Sequence, residues 1–254
     1  MDSPVSPYLV TTVADGVAEL IMAYGPVNAL PTEGWWAVAE AVRAAGADPA
    51  VRVVVLRAEG RGFNAGVDIK ALHAATDRAR ALVDVNRACA AAFASVYECP
   101  APVVVAVHGY CLGGGIGLTG SADVIVASDD AVFSLPEVER GALGAATHLA
   151  RLVPPAKVRA MLLLGVKATA AELHSWGSVH RVVPRAELRG AAMEVARVLA
   201  SRHPAVIRAA KASLQGLDAV DPRRSYRYEQ GYTFEMDLLG AGNEARAAFA
   251  RGGD

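Results

Sequence analysis

Two glycine-rich segments, each directly after an apolar run, constrain the fold of this chain more than any other feature. Gly60–Asp68 follows the run RVVVL at 52–56, and His108–Gly117 follows Pro102–Val107. Short continuous apolar runs are typical of strands that are covered on both faces. Glycines directly after such strands allow backbone N–H groups to approach a ligand closely. Two such loops side by side can direct two N–H groups at one oxygen, which is the geometry of an oxyanion hole.

Other interpretations of these glycines compete with the oxyanion hole. The spacing Gly115-x-Gly117-x-x-Gly120 matches the dinucleotide-binding fingerprint. The strand-like run at 123–126 follows too soon, however, to leave room for the crossover helix that this fingerprint requires. A P-loop is excluded, because no G-x-x-x-x-G-K-[ST] sequence occurs. Taken alone, the glycines also permit a role in tight turns and close packing only.

Strand-like runs alternate with helical patterns over residues 1–150, which predicts an α/β fold with a largely parallel sheet. The first two runs flank Ala14-Asp15-Gly16 and predict an opening hairpin. Helices are predicted over 31–45 and 77–97, and most of the chain from Pro154 onward. The predicted strands are 9–13, 17–22, 52–56, 102–107, 123–127 and 178–183.

The length of 254 residues fits one large domain, or a main domain with a smaller appendage. We predict a main unit over residues 1–190 and a helical region over 191–254. The apolar faces of the C-terminal helices require a partner surface, which is either the main core or another subunit.

Charge and cysteine usage exclude several classes of protein. The 25 basic and 26 acidic residues nearly cancel, whereas dedicated nucleic-acid binders carry a basic excess. The three cysteines, Cys89, Cys99 and Cys111, have neither a C-x-x-C pair nor metal-ligand spacing. We therefore expect small buried thiols in a reduced, cytoplasmic protein, with no metal site and no redox cofactor.

Two segments bear on membrane targeting. The N-terminus has no basic residue before Arg43, so it does not fit a secretory signal. Pro100–Ala122 lacks charged residues and is long enough to cross a bilayer, but it contains two prolines and six glycines. These residues disfavour a spanning helix, so we interpret the segment as a buried strand plus a glycine-rich loop and expect no membrane insertion.

Ordered motifs along the chain resemble the crotonase (enoyl-CoA hydratase/isomerase) superfamily. Phe63–Lys70 (FNAGVDIK) resembles the F-x-A-G-x-D-[LI]-K segment of that family. Val107–Gly115 resembles its second signature, and Phe133–Glu137 resembles its third. Pro26–Leu30 is similar to the early segment that borders the CoA arm, and order and spacing agree as far as Ala248-Phe249.

The resemblance implies a spiral of ββα units followed by a helical C-terminal region that mediates trimer formation, with trimers that often pair into hexamers. It also implies a CoA thioester whose carbonyl oxygen lies between the backbone N–H groups of Ala65 and Gly114. CoA would then be part of the substrate, and no separate cofactor is expected. The positions implied to contact the CoA thioester are Val27, Ala29, Ala65, Gly66, Val67, Asp68, Ile69 and Gly114. Candidate contacts for the CoA phosphates, each also an ordinary solvated charge, are Arg61, Lys70, Arg246 and Arg251.

The chain departs from the hydratases of this family at one catalytic position. Those enzymes hold one water between two glutamates. The second is matched by Glu137, but Gly117 stands where the first is expected. Water addition needs both a base and an acid, so simple hydratase activity is in doubt. Candidates to replace the missing acid are Glu139, Asp68 and His148, although Asp68 also suits a helix cap, Glu139 an ion pair with Arg140, and His148 core packing.

A narrower resemblance concerns a steroid-degrading branch of the superfamily, which hydrolyses a carbon–carbon bond in a bicyclic CoA thioester. The similar stretches are Leu56–Lys70, Leu135–His148 and Tyr226–Glu235. Gly117 fits this resemblance if a compact fused-ring substrate needs the volume that a glutamate would fill.

The resulting hypothesis is a retro-Claisen hydrolysis. Glu137 or a neighbour activates water, which attacks a ring ketone, and the enolate that leaves is held by Ala65 and Gly114. The alternatives are a Δ3,Δ2-enoyl-CoA isomerase, a 2-enoyl-CoA hydratase with its second acid from Glu139 or Asp68, and a non-enzymatic acyl-CoA-binding scaffold.

Overall fold

The computed structural model of the protein describes residues 6–250, apart from the side chains of His73, Arg140, Arg246 and residues 248–250. The strands in chain order are β1 (Leu9–Ala14), β2 (Val17–Met22), β3 (Val53–Ala58), β4 (Val103–Val107), β5 (Tyr110–Leu112), β6 (Val124–Ser128), β7 (Val132–Ser134), β8 (Ala168–Thr169) and β9 (Arg181–Val183). The α-helices are α1 (Thr32–Ala47), α2 (Ile69–Ala74), α3 (Arg78–Glu98), α4 (Gly114–Ser121), α5 (Ala146–Leu149), α6 (Pro155–Leu164), α7 (Ala170–Ser175), α8 (Leu188–Ala200), α9 (Pro204–Leu217), α10 (Pro222–Leu238) and α11 (Ala241–Ala250).

A six-stranded sheet in the order β1-β2-β3-β4-β6-β9 forms the centre of the fold. The β1–β2 pair is antiparallel, and every other neighbouring pair in this sheet is parallel. The opening hairpin and the largely parallel α/β sheet are thereby confirmed. The predicted strand at 178–183 is shortened to β9, because residues 176–180 turn into it.

The two faces of this sheet are covered by different helices, which explains the continuous apolar runs of the central strands. In β3, Val54 and Leu56 face the core that contains α1, α3 and α4. Val53 and Val55 face the opposite side, where α8 packs. Both faces of each central strand are therefore buried, as parallel sheets require.

A smaller sheet was not predicted from the sequence. It consists of β5, β7 and β8, each only two or three residues long. β5 lies inside the second glycine-rich segment, where Cys111 faces Phe133 of β7. Such short strands carry no alternation that periodicity can detect.

Aspartate side chains cap the N-termini of helices α2 and α3. Asp77 accepts a hydrogen bond from Arg80 N (3.0 Å) at the start of α3. Asp68 accepts from the amides of Lys70 (3.0 Å) and Ala71 (3.1 Å) at the start of α2. These carboxylates satisfy amides that have no partner within the first helical turn.

The C-terminal part is helical, as predicted, but it is not one layer. α8 packs on β3, β4 and β6 and closes the second face of the main sheet. α10 packs instead on α3 and α5, at the opposite face. The predicted boundary at residue 190 falls within α8, and the division into two units stays a prediction.

The uncharged segment Pro100–Ala122 folds as β4, β5 and the eight-residue helix α4. This confirms its interpretation as a buried strand with a glycine-rich loop. Among the described residues, no helix is both long enough and apolar enough to cross a membrane.

Candidate active site

The two glycine-rich loops leave the carboxyl ends of the neighbouring parallel strands β3 and β4 and are held together by backbone hydrogen bonds. Phe63 N donates to His108 O (2.9 Å), Asn64 N to Tyr110 O (3.2 Å), and Leu112 N to Asn64 O (2.9 Å). Adjacent parallel strands deliver their following loops to the same edge of the sheet. The predicted pairing of the two loops is therefore present.

Ala65 and Gly114 lie at the point where these loops meet. A methyl group built at Gly66 would lie 3.4 Å from Gly114 N, so the two backbones are in close approach. Gly114 is the first residue of α4, and its amide has no partner within that helix. Within the described part of the chain, the Ala65 amide donates no hydrogen bond. Two backbone N–H groups are thus available at one place, as an oxyanion hole requires.

Glu137 is brought to this place by the smaller sheet. β5 and β7 run parallel, with Leu112 beside Ser134, and Gly113 N donates to Ser134 O (3.2 Å). The residues that follow the two strands are therefore neighbours. The Glu137 Oε1 atom lies so close to Gly113 that a methyl group there would overlap it. Gly113 has a φ of +53°, a conformation that favours glycine.

Ala65, Gly114 and Glu137 line the same cavity. The predicted positions Gly66, Val67 and Ile69 also line it. Its opposite wall is mostly apolar and comes from α3, the 142–145 loop and α10. The side chains of α3 that line it are Leu82, Val85, Asn86, Cys89 and Phe93.

Two groups near Glu137, the Cys89 thiol and the Tyr226 hydroxyl, are buried. Burial, followed by the nearby Glu137 carboxylate, raises the pKa of the Cys89 thiol, so this cysteine stays neutral. Burial also raises the pKa of Tyr226 well above its ordinary value, with Glu137 as a smaller cause. Of the described residues that line the cavity, only Glu137 carries a carboxylate.

The space above Gly117 is filled by the ring of Phe93. A methyl group built at Gly117 would lie 2.5 Å from the Cε1 and Cε2 atoms of that ring. The expectation that Gly117 leaves open volume for the substrate is therefore wrong. The missing glutamate is replaced by a phenyl ring from α3, which removes a carboxylate from this wall and makes it apolar.

Helix α10 of the same chain closes the cavity with Tyr226 and Thr233. Thr233 Oγ1 donates to Leu143 O (2.7 Å) and accepts from Leu143 N (3.1 Å). Glu229 accepts from Ala146 N (2.9 Å) and from the amide and hydroxyl of Thr147. α10 therefore fixes the loop that forms one wall of the cavity.

The three alternative acids are not brought into the cavity. Asp68 caps α2, as described above. Glu139 is exposed, and its carboxylate lies against Gly165 at the end of α6. His148 is buried behind the cavity wall, between the rings of Phe93 (4.9 Å) and Tyr226 (5.0 Å). Burial lowers the pKa of His148 to about 3, so its imidazole is neutral near pH 7.

The segment implied to border the CoA arm is tied to the first glycine-rich loop. Leu30 N donates to Gly66 O (2.9 Å), and Asp68 N donates to Leu30 O (3.0 Å). The buried Asn28 side chain donates to the carbonyls of residues 59 and 62. Val27 and Ala29, on either side of Asn28, are half-buried and lie beside the cavity rather than in its lining.

The four candidate contacts for CoA phosphates have different positions. Arg61 and Lys70 are exposed on either side of the first glycine-rich loop. Arg251 lies outside the described residues, and so does the Arg246 side chain. The interpretation of Glu139 as an ion-pair partner of Arg140 also rests on an undescribed side chain.

Sequence reasoning missed the contributions of α3 and α10 to the site. Among the α3 residues that line the cavity, Asn86 is the one polar side chain. A polar residue within an apolar stripe was the sequence signal that could have indicated a contribution of α3 to the site. In α10, three buried residues with polar groups recur at helical spacing, Tyr226, Gln230 and Thr233. Such stripes are typical of a face that meets a polar partner or a ligand.

No group of three or more His, Cys, Asp or Glu side chains with metal-binding geometry is found among the described residues. Cys89, Cys99 and Cys111 are buried free thiols, as expected.

Comparisons with known proteins show what the chain as a whole is similar to. A protein of Rhodococcus jostii (strain RHA1), named (7aS)-7a-methyl-1,5-dioxo-2,3,5,6,7,7a-hexahydro-1H-indene-carboxyl-CoA hydrolase, is 57% identical over 243 residues, covering 96% of this chain and 94% of that protein. A protein of the same name from Mycobacterium tuberculosis (strain ATCC 25618 / H37Rv) is 54% identical over 245 residues, covering 96% and 99%.

Among solved structures, an enoyl-CoA hydratase/isomerase from Xanthobacter autotrophicus Py2 superimposes with a TM-score of 0.86 at 27% identity, covering 96% of this chain and 92% of that one. The family model described as enoyl-CoA hydratase/isomerase matches residues 12–235. The crotonase-type α/β fold is thereby confirmed. The chain belongs to the enoyl-CoA hydratase/isomerase family of enzymes.

Proposed function

We propose that this enzyme hydrolyses a carbon–carbon bond in the ring of a bicyclic, steroid-derived CoA thioester. The observation that carries the proposal is the pairing of one carboxylate, Glu137, with two available amides, while Phe93 fills the space of a second carboxylate. The names of the relatives that are 57% and 54% identical support the same substrate class and the same reaction type.

In the proposed reaction, Glu137 takes a proton from water as the water oxygen bonds to a ring carbonyl carbon. The tetrahedral centre then collapses to a carboxylic acid, and the ring carbon–carbon bond breaks. The electron pair of that bond moves into the thioester as an enolate, or as a dienolate where a double bond intervenes. The amides of Ala65 and Gly114 stabilise the charge on the thioester oxygen, and Glu137 returns its proton to carbon.

An enoyl-CoA isomerase is the second candidate, because a single carboxylate can move a proton between two carbons. Glu137 beside the two amides is sufficient for that chemistry. A hydratase is disfavoured, because Glu139 and Asp68 lie outside the cavity and Phe93 occupies the position above Gly117.

Hydrolysis in water enriched in oxygen-18 separates these activities. With a bicyclic dioxo carboxyl-CoA thioester we expect one labelled oxygen in the new carboxylate of the ring-opened product. An isomerase would incorporate no label, and a hydratase would place it in a hydroxyl group. A scaffold would bind the thioester with no turnover, so each outcome identifies one of the candidates.

The role of Glu137 is tested with the Glu137→Gln variant. We expect ring opening to slow about 10²–10⁴-fold, because the general base is lost. Glu139→Gln is the comparison variant, since that carboxylate lies against Gly165 and outside the cavity. Near wild-type turnover of Glu137→Gln in a folded protein would contradict the proposed role.

We also propose that the chain assembles as a homotrimer or hexamer through its C-terminal region. The support is the set of large apolar side chains that the C-terminal helices leave exposed on the single chain, including Val198, Leu214, Leu217, Leu238 and Leu239. Large contiguous apolar surfaces mark sites of protein–protein interaction. Light scattering on the purified protein measures the assembly directly.

The CoA arm is proposed to lie along Val27, Ala29 and the 65–69 loop, with its phosphates near Arg61 or Lys70. The exposed positions of these two cations support this placement. The three buried free thiols support a reducing, cytoplasmic location.

A further inference from the structure

The proposed hydrolysis places negative charge on two different oxygens. One is the thioester oxygen, which takes the charge of the enolate. The other is the ring carbonyl oxygen, which becomes an oxyanion when water adds. In the proposed reaction, the amides of Ala65 and Gly114 hold the thioester oxygen. The ring carbonyl therefore requires a separate hydrogen-bond donor in the cavity.

We infer that the Tyr226 hydroxyl donates this second hydrogen bond, to the ring carbonyl oxygen that water attacks. This inference rests on the proposed function. Tyr226 lines the cavity on the wall formed by α10, and its hydroxyl oxygen lies about 4.0 Å from the point where a methyl group at Gly144 would stand. Gly144 lines the same cavity, so the hydroxyl lies beside a lining residue.

The orientation of the Tyr226 ring is fixed by its neighbours. The ring is 7% exposed and packs at 5.3 Å from Phe93 and 5.0 Å from His148, measured between ring centroids. Both contacts are tilted or edge-to-face, which is the favourable geometry for aromatic pairs. A donor held in this way needs no rearrangement when charge develops opposite to it.

The Tyr226 hydroxyl keeps its proton. Burial raises its pKa well above the ordinary value of a phenol, and nearby acidic groups act in the same direction. A hydrogen bond from the Gln230 side chain lowers the pKa of Tyr226, because an amide N–H directed at the phenol oxygen stabilises the phenolate. Arg227 donates to Gln230 Oε1 (2.6 Å) and thereby turns the amide nitrogen of Gln230 toward Tyr226 and Asn86.

The other polar side chains of the cavity are already engaged with protein groups. The Thr233 hydroxyl both donates to and accepts from Leu143. Asn86 donates to Leu82 O (2.9 Å), and Gln230 donates to its Oδ1 atom. Of the two hydroxyl groups in the described lining, that of Thr233 donates to Leu143 O, whereas that of Tyr226 donates to no described residue.

Protons and electron pairs are conserved through water addition and ring cleavage. As the water oxygen bonds to the ring carbonyl carbon, a water proton moves to Glu137. The π electrons of the carbonyl move to its oxygen, and the Tyr226 hydroxyl donates a hydrogen bond to this oxyanion. When the carbonyl re-forms, the ring bond breaks and its electron pair enters the thioester. Glu137 then delivers its proton to carbon, and Tyr226 ends in its starting protonation state.

The test compares Tyr226→Phe with wild type on a bicyclic dioxo carboxyl-CoA thioester. We expect kcat to fall about 10²–10³-fold, the usual cost of one oxyanion donor, with KM little changed. Phenylalanine retains the ring and its aromatic contacts, so the fold should be preserved. Tyr228→Phe is the matched control, because Tyr228 lies on the same helix, is 69% exposed and hydrogen-bonds Tyr232 at the surface.

A second measurement separates a catalytic donor from a structural residue. Exchange of the α-hydrogen of the ring-opened product thioester with solvent deuterium needs Glu137 and the two amides, but no ring carbonyl. We expect Tyr226→Phe to keep this exchange, and Glu137→Gln to lose it. Loss of both exchange and hydrolysis in Tyr226→Phe would assign it a structural role and overturn the inference.

Undiminished hydrolysis by Tyr226→Phe would overturn the inference about Tyr226 and leave the proposed function intact. If the wild-type enzyme itself does not open the ring, the proposed function fails, and the assignment of Tyr226 fails with it. The wild-type reaction and the variant therefore distinguish the two failures.

Discussion

The phenyl ring of Phe93 occupies the space that a side chain at Gly117 would need. Two ring carbons lie 2.5 Å from the position of a Cβ atom at Gly117, and both residues are buried. The residue type at 117 is thus coupled to the residue type at 93, on a different helix. This pair determines that one wall of the cavity is apolar.

We predict that Gly117→Glu lowers the stability of the protein and creates no hydration of a short 2-enoyl-CoA. The new side chain would overlap the Phe93 ring, and overpacking of a buried site typically costs about 1–3 kcal/mol. Phe93→Ala alone should also destabilise, by about 3–5 kcal/mol, because it leaves a cavity. In the double variant the two changes share one space, so the measured free energy of unfolding should fall by less than the two separate losses together. Simple additivity in urea unfolding would contradict this packing relationship.

Gly113→Ala should reduce ring opening strongly. The added methyl group overlaps Glu137 Oε1 and must displace the carboxylate. The backbone of Gly113 (φ +53°, ψ −111°) also lies outside the αL region, and such a conformation costs a non-glycine residue about 1–3 kcal/mol of stability. Gly190→Ala is a suitable control, because a methyl group there would contact nothing within 4 Å. Steady-state kinetics and thermal unfolding of both variants test this, and unchanged turnover of Gly113→Ala would exclude the placement of Glu137.

Glu229→Ala should loosen the wall of the cavity that α10 holds. The substitution removes the acceptor for the amides of Ala146 and Thr147, and each unsatisfied buried group costs about 1–3 kcal/mol. We expect faster hydrogen exchange at these two amides and a lower kcat/KM. Glu235→Ala, at an exposed position of the same helix, should change neither quantity. Equal effects of the two substitutions would contradict a specific role of Glu229.

We expect the free energy of unfolding to decrease as the pH falls below about 6.5, because His148 is buried in its neutral form. Burial lowers the pKa of His148 to about 3, so the folded protein binds its proton more weakly than the unfolded chain does. The stabilising contribution is complete above the unfolded pKa and is lost as pH decreases, by about 2 kcal/mol between pH 7 and pH 5. His148→Phe should flatten the pH dependence of the free energy of unfolding over this range. An unchanged slope in His148→Phe would show that other groups cause it.

The amino-acid sequence by itself determined the central sheet and the two glycine-rich loops. Strands such as β3 and β4 are continuous apolar runs, and glycines follow them directly, so local signals specify both the element and the turn. The resemblance of contiguous motifs to the crotonase superfamily implies Ala65, Gly114 and Glu137 as site residues, and all three line one cavity. Their meeting at one edge of the sheet follows from parallel strand order.

The tertiary structure decided which residues complete the cavity. Phe93 and Tyr226 are 133 positions apart, and Gly117 gives no indication that Phe93 fills the space above it. Glu139 and His148 lie close to Glu137 in the sequence, yet a short helical turn and the aromatic cluster direct them elsewhere. Local patterns record the propensity of a segment, whereas the lining of a cavity depends on packing between distant helices, which no local pattern contains.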